Sequence, residues 1–188
     1  GDSLKEAIER FHAHPSGSRD LELRKLLRRF NDVCDAIDYA HSRGVLHRDI
    51  KPGNIIIGKH GETLVVDWGL AKATGVRDPG AAERTLVPSS ASGSAETLPG
   101  SALGTPAYMS PEQCRGEAPT AASDIYSLGV VAYQMLTGRL PFDGDTPFAV
   151  MRKHLDEPPP ALPPLEPISE PLREALAKDA GQRPTTAV

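Results

Sequence analysis

The stretch His47-Arg48-Asp49-Ile50-Lys51-Pro52-Gly53-Asn54 concentrates charged and amide side chains in eight residues. Short β-branched runs bracket it, Val45-Leu46 before and Ile55-Ile56-Ile57 after. A second run, Thr63-Leu64-Val65-Val66, follows Lys59-His60-Gly61-Glu62, whose glycine suits a hairpin turn. Asp67-Trp68-Gly69 closes that strand, thirteen residues beyond Asn54. Loops held between strands are favoured places for reactive groups, because the scaffold fixes their geometry.

Working outward, the period changes to helical. Residues 4–14 and 20–43 read as helices. In the second, Leu23, Leu26, Leu27, Phe30, Cys34, Ile37 and Ala40 recur at spacings of three and four, which places them on one face. Asp20 is the expected N-cap and Gly44 the expected residue beyond the C-cap. Arg24, Lys25, Arg28 and Arg29 read as the solvated side of that helix. Ser123 to Thr137 is apolar almost all round, and its 15 residues are too few for a bilayer, so it reads as a helix buried in a core. Gly138 ends it. Thr146-Pro147 opens a helix to about Leu155, a proline-rich connector follows from Glu157 to Pro167, and a last helix spans about Ser169 to Lys178. Pro160-Ala161-Leu162-Pro163 matches a ligand motif for proline-reading domains, but a structural connector is the preferred reading.

The bulk numbers narrow the class. With 39% hydrophobic and 24% charged residues in 188, the chain has the balance of a globular domain. Seventeen glycines and eighteen prolines are an excess, and it concentrates in two segments. One is the proline connector. The other is 73–102, rich in Ala, Gly, Ser, Pro and Thr, which buries too little apolar area to offset its ordering entropy and is expected to be mobile. A net charge of −4 argues against a nucleic-acid partner. No apolar run approaches a membrane span and Gly1-Asp2-Ser3 does not start a signal peptide, so this segment is expected to make no membrane contact. Cys34 and Cys114 cannot build a disulfide framework, which fits a reducing compartment such as the cytoplasm.

The opening stretch fits the catalytic-loop pattern H-R-D-L-x-x-x-N of protein kinases, with Ile50 for the Leu. Asp67-Trp68-Gly69 stands where that family has Asp-Phe-Gly. Gly104-Thr105-Pro106-Ala107-Tyr108-Met109-Ser110-Pro111-Glu112 resembles the end of its activation segment, with Ser110 for the usual Ala. Asp124 and Arg183 also occupy family positions. Five motifs in the right order make chance recurrence very improbable, and together they span essentially the whole chain. The chain thus resembles Ser/Thr protein kinases of the bacterial type.

The resemblance implies a mostly helical α+β fold, the large C-terminal lobe of a kinase, with short β-hairpins around the catalytic loop. It implies transfer of the ATP γ-phosphoryl group to Ser or Thr hydroxyls of a protein substrate, with Mg²⁺ or Mn²⁺. Asp49 would be the catalytic base and Lys51 the contact to the transferring phosphate, with Thr105 bonded to both. Asn54 and Asp67 would be hard oxygen ligands for the metal. His47, Trp68, Gly69, Glu112, Asp124 and Arg183 would be structural, Glu112 pairing with Arg183 in a buried bridge and Asp124 accepting bonds from the catalytic-loop backbone. Arg48 beside the catalytic Asp would pair with a phosphate on the activation segment. Thr85, Ser89, Ser90, Ser92, Ser94, Thr97 and Ser101 are the candidate acceptors for it.

The family's small lobe has a Gly-rich loop and a strand Lys, and neither motif occurs here. The 46 residues before His47 match the start of the large lobe instead. The expectation is therefore a partial kinase domain over 1–188, its small lobe missing in cis, with 73–102 as an activation-loop insert and weak or no activity alone. Bacterial members often carry a membrane span outside the kinase domain, so the full-length protein can be membrane-anchored. The competing class is a non-catalytic pseudokinase-like scaffold, but a scaffold needs none of Asp49, Lys51, Asn54 and Asp67. A purely structural protein would also leave those four polar residues unexplained.

Overall fold

The computed structural model describes residues 1–13, 19–70, 72–73, 105–161 and 168–187. Its elements are β1 (Asp2–Ser3), α1 (Leu4–Ala13), α2 (Arg19–Ser42), β2 (Val45–Leu46), β3 (Ile55–Ile57), β4 (Thr63–Val65), β5 (Lys72–Ala73), α3 (Pro111–Cys114), α4 (Ala121–Thr137), α5 (Pro147–Asp156) and α6 (Ser169–Ala175). The hairpin β3–β4 pairs Ile55 with Val65 and Ile57 with Thr63. β1 adds to its other edge, giving the order β1-β3-β4, while β2 pairs antiparallel with β5 as a separate ribbon. Helix dominates and the sheets are small, as an α+β reading expects.

α4 is the spine of this fold. Ile125, Leu128, Val131 and Met135 face a core shared with Leu4 and Ile8 of α1 and with Val33, Cys34 and Ile37 of α2. Tyr126, Val130 and Tyr133 face a second cluster with Leu172 and Leu176. A helix buried on both sides must be apolar all round, which is why its sequence lacks a polar stripe. Gly129 lets α6 approach: a Cβ there would lie 3.1 Å from the Ala175 Cβ. Gly138 ends α4 in the left-handed region at φ 74° and donates back to the Gln134 carbonyl at 2.8 Å.

Four details differ from the sequence reading. β1 is too short to carry a period, and only its pairing with Ile56 and Ile57 makes it a strand. Asp20 lies inside the first turn of α2, where its charge suits the helix dipole, and is not the cap. β4 ends at Val65, although Val66 N still donates to the Asn54 carbonyl at 2.9 Å. α6 stops at Ala175, short of Lys178, and the carbonyls of Ala177 and Lys178 accept instead from the Arg183 guanidinium at 2.8 and 3.2 Å. Apart from Ala73, the segment 73–102 with Thr85, Ser89, Ser90, Ser92, Ser94, Thr97 and Ser101 lies outside the described residues, as does most of the proline connector.

Candidate functional site

The loop after β2 is held from beneath by Asp124 in the first turn of α4. Its carboxylate is almost fully buried and accepts from His47 N at 2.9 Å, Arg48 N at 2.8 Å and His41 Nε2 at 2.8 Å. Three donors satisfy a charge that would otherwise be costly to bury. Arg48 sits at φ 72°, a conformation that costs a side-chain-bearing residue about 1–3 kcal/mol and persists only where the surroundings impose it. They do here: Asp124 holds its N–H, and Gln113 Nε2 donates to its carbonyl at 2.9 Å. The next side chain is turned accordingly.

That side chain is Asp49. One oxygen accepts from Lys51 Nζ at 2.5 Å and Asn54 Nδ2 at 3.3 Å, and the other from Thr105 N at 3.3 Å. Lys51 Nζ also donates to Thr105 Oγ1 at 3.1 Å, so Asp49, Lys51 and Thr105 form one polar cluster. Asn54 Nδ2 donates to the Asp49 carbonyl at 2.9 Å, which orients the amide and leaves Oδ1 without a donor among the described residues. Because Val66 N bonds the Asn54 carbonyl, Asp67 emerges beside Asn54, exposed and at φ 63°.

His47 welds the two strand ends together. Its Nε2 donates to the Val66 carbonyl at 3.1 Å, leaving Nδ1 to accept from Asp49 N at 3.3 Å. The Trp68 ring rests on the imidazole, centroids 4.6 Å apart, and its Nε1 donates to the Val65 carbonyl at 2.9 Å. The indole therefore has both a packing surface and a hydrogen-bond partner. Gly69 follows in the same turn, close over the Asp67 carboxylate. The Arg48 Nε is buried and has no hydrogen-bond partner among the described residues.

Behind this cluster, Arg183 grips Glu112 with two bonds, Nη1 to Oε1 at 2.7 Å and Nη2 to Oε2 at 3.0 Å. Burial pushes the Glu112 carboxyl up, but the bonds from Arg183 and from Ser123 Oγ outweigh it and hold the group at about 2. The bridge ties α3 to the residues after α6.

The sequence profile of the protein kinase domain matches residues 1–187. The chain belongs to the protein kinase family. Among its relatives are the serine/threonine-protein kinase PknD of Protochlamydia amoebophila, 44% identical over 78% of this chain, and PknB of Mycolicibacterium smegmatis, 39% identical over 83%. PknA of Corynebacterium glutamicum is 38% identical over 97%. The aligned parts cover 15%, 23% and 34% of those proteins, so the chain spans a sixth to a third of their length. Kinases of this family use ATP and Mg²⁺. No helix among the described residues is long and apolar enough to cross a membrane.

Three residues that brace this site escaped the sequence reading. His41 continues the buried face of α2 one turn beyond Ile37, a signal that was present, but its tie to Asp124 spans 83 positions. Gln113 shares a capping box with Ser110, with Ser110 N donating to Gln113 Oε1 at 3.0 Å, and uses its amide nitrogen to hold Arg48. His154 of α5 is fully buried, with Nδ1 on the Tyr126 hydroxyl at 2.9 Å and Nε2 on the Ala107 carbonyl at 3.2 Å. It anchors the turn that follows Thr105.

Burial first, then the Lys178 ammonium, pulls His154 from its usual 6.5 down to about 4 despite the bond to Ala107. The unfolded chain therefore binds the extra proton, and stability falls as pH drops from about 6.5 towards 4. Between pH 7 and pH 5 this group is expected to remove about 2 kcal/mol. Urea unfolding at both values, with His154→Gln as comparison, checks it. An equal acid loss in the variant would assign the effect elsewhere.

Proposed function

We propose that this chain carries the phosphoryl-transfer machinery of a Ser/Thr protein kinase, moving the ATP γ-phosphoryl group to a Ser or Thr hydroxyl of a protein. The observation that carries the reading is the buried Asp49 carboxylate, aimed by an imposed backbone and tied to Lys51, Asn54 and Thr105. Phosphoryl transfer asks for positioning and charge neutralisation more than covalent help. Asp49 would accept the hydrogen bond of the acceptor hydroxyl and take its proton as the oxygen–phosphorus bond forms and the bond to the β-phosphate oxygen breaks. Lys51, already within reach of both Asp49 and Thr105, would carry positive charge to the transferring group.

The donors around Asn54 fit a magnesium ion. Asn54 Oδ1 is uncommitted among the described residues, and the exposed Asp67 carboxylate emerges next to it; both are the hard oxygens Mg²⁺ selects. Bound there with ATP, the ion would neutralise charge on the phosphates. We read residues 1–188 as the large lobe of the kinase domain, because the motifs from His47 to Arg183 follow that lobe's order. The small lobe would be supplied in cis.

The test is transfer of labelled phosphate from Mg²⁺-ATP to an acceptor protein by the full-length polypeptide. We expect phosphoserine and phosphothreonine, and a large rise in the Mg²⁺ needed for half-maximal rate in Asp67→Asn. No incorporation with either Mg²⁺ or Mn²⁺ sinks the reading and favours a scaffold.

Regulation would run through Arg48 and the hydroxyls Thr85, Ser89, Ser90, Ser92, Ser94, Thr97 and Ser101. Supporting this are their density in the sequence and the unpartnered Arg48 Nε. Peptide mapping after Mg²⁺-ATP incubation should find phosphate between Thr85 and Ser101. Its absence from that window removes the proposal.

A further inference from the structure

A cavity lies away from the catalytic cluster, between α1, α2 and the β3–β4 turn. It measures about 450 Å³. Phe11, Leu26 and Ile57 give it apolar walls. Its charged lining is one-sided: Arg10, Arg19, Lys25, Arg29 and Lys59 against the single carboxylate of Glu22. That bias stands out in a chain whose net charge is −4.

Not all five cations are free. Arg10 pairs with Asp2 at 2.7 Å and Lys25 with Glu22 at 2.8 Å. Arg29 reaches Asp32 and the Gly61 carbonyl, which braces the β3–β4 turn. Lys59 has no ion pair among the described residues, and Arg19 lies over the Phe11 ring at 4.6 Å. Among the described residues two cations are therefore available without breaking an ion pair, and the two surface pairs exchange partners at little cost. From Arg19 to Arg29 the α2 axis advances about 15 Å. A single phosphate or carboxylate cannot span that length, whereas about five residues of extended chain do.

We propose that this groove docks an acidic linear peptide, an extended segment of a partner protein that sets an apolar side chain against Phe11 and Leu26 and its carboxylates against Arg19 and Lys59. The site would hold its partner independently of phosphoryl transfer and goes beyond the catalytic reading.

Fluorescence anisotropy on the full-length protein tests it, with a short labelled peptide of alternating glutamate and leucine as probe. Saturable binding that weakens with salt is expected, and a glutamate–serine peptide should bind more weakly. The double variant Arg19→Glu/Lys59→Glu should lose about tenfold in affinity, while Arg152→Glu on α5 should match the wild type. Circular dichroism and the single variant Lys59→Glu, with a smaller loss, separate docking from misfolding. Four results would overturn the proposal: no saturable binding, equal affinity for the serine peptide, insensitivity to the double reversal, or equal binding of an oligothymidylate, which would make the site a general polyanion surface. All three variants should still phosphorylate a generic acceptor. Failure of binding with transfer intact rejects the docking site alone, and loss of transfer in the wild type rejects the catalytic reading alone.

Discussion

If Asp49 is the base, as proposed, Asp49→Asn in the full-length polypeptide is expected to lower kcat by about 10²–10⁴-fold or to undetectable levels, the range for removal of a positioned general base. The substitution keeps the size of the side chain but removes its charge and its basicity. It also turns one acceptor into a donor. An amide can still accept from Lys51 and Asn54 through its oxygen, but its nitrogen then faces the Thr105 N–H, so the 3.3 Å bond to Thr105 is lost. The backbone of the loop does not depend on that carboxylate, since Asp124 and Gln113 hold it. Thermal unfolding should therefore change little while turnover collapses. Turnover near that of the wild type would show that Asp49 is not the base.

Arg183→Met is expected to show the opposite signature, a large loss of stability from a residue remote from the reacting atoms. The guanidinium donates to both Glu112 oxygens and to the carbonyls of Ala122, Ala177 and Lys178, and it lies 4.9 Å from the Tyr126 ring centroid. Methionine removes all five of these bonds and leaves the Glu112 charge with the Ser123 hydroxyl but no cation. The expected cost is about 3–5 kcal/mol in urea unfolding. Arg183→Lys should recover little, because one ammonium cannot reproduce the planar fork. Glu112→Leu combined with Arg183→Met should be less harmful than Arg183→Met alone, since no lone charge remains.

The same bridge has a pH signature. Glu112 is held at about 2 in the folded chain against an ordinary 4.5. The unfolded state thus binds the proton first, and the bridge's contribution is complete above pH 4.5 and lost as pH falls from 4.5 to 2. Arg183→Met should flatten that part of the stability curve. An unchanged acid profile, or a destabilisation below about 1 kcal/mol, would mean that the bridge is solvated in solution.

Much of the site was legible in the chain because its residues are near neighbours. His47 to Asn54 is one loop, and the hairpin carrying Asp67 follows from two β-branched runs and a glycine turn. Resemblance to kinases extended the reading to Thr105, Glu112, Asp124 and Arg183, and the structure puts Thr105 on Asp49 and Lys51, Asp124 under the loop, and Glu112 against Arg183. Periodicity could not reach the braces. Gln113 reads as a capping residue, and nothing local tells that its other end holds Arg48. His154 reads as one more polar position on an amphipathic helix, yet it is fully buried.

By itself, then, the sequence determined the order of the motifs, the helices with their apolar faces and the chemical inventory of the catalytic loop, because these depend on spacings of a few residues. Only the tertiary structure decided the left-handed backbone of Arg48 and the capture of His41 and the loop amides by Asp124 across some 80 positions. Each of these rests on a directional hydrogen bond to a distant group. Such a bond has no period and no local propensity, and it exists only once α4 has packed against α2 and brought its buried carboxylate under the loop.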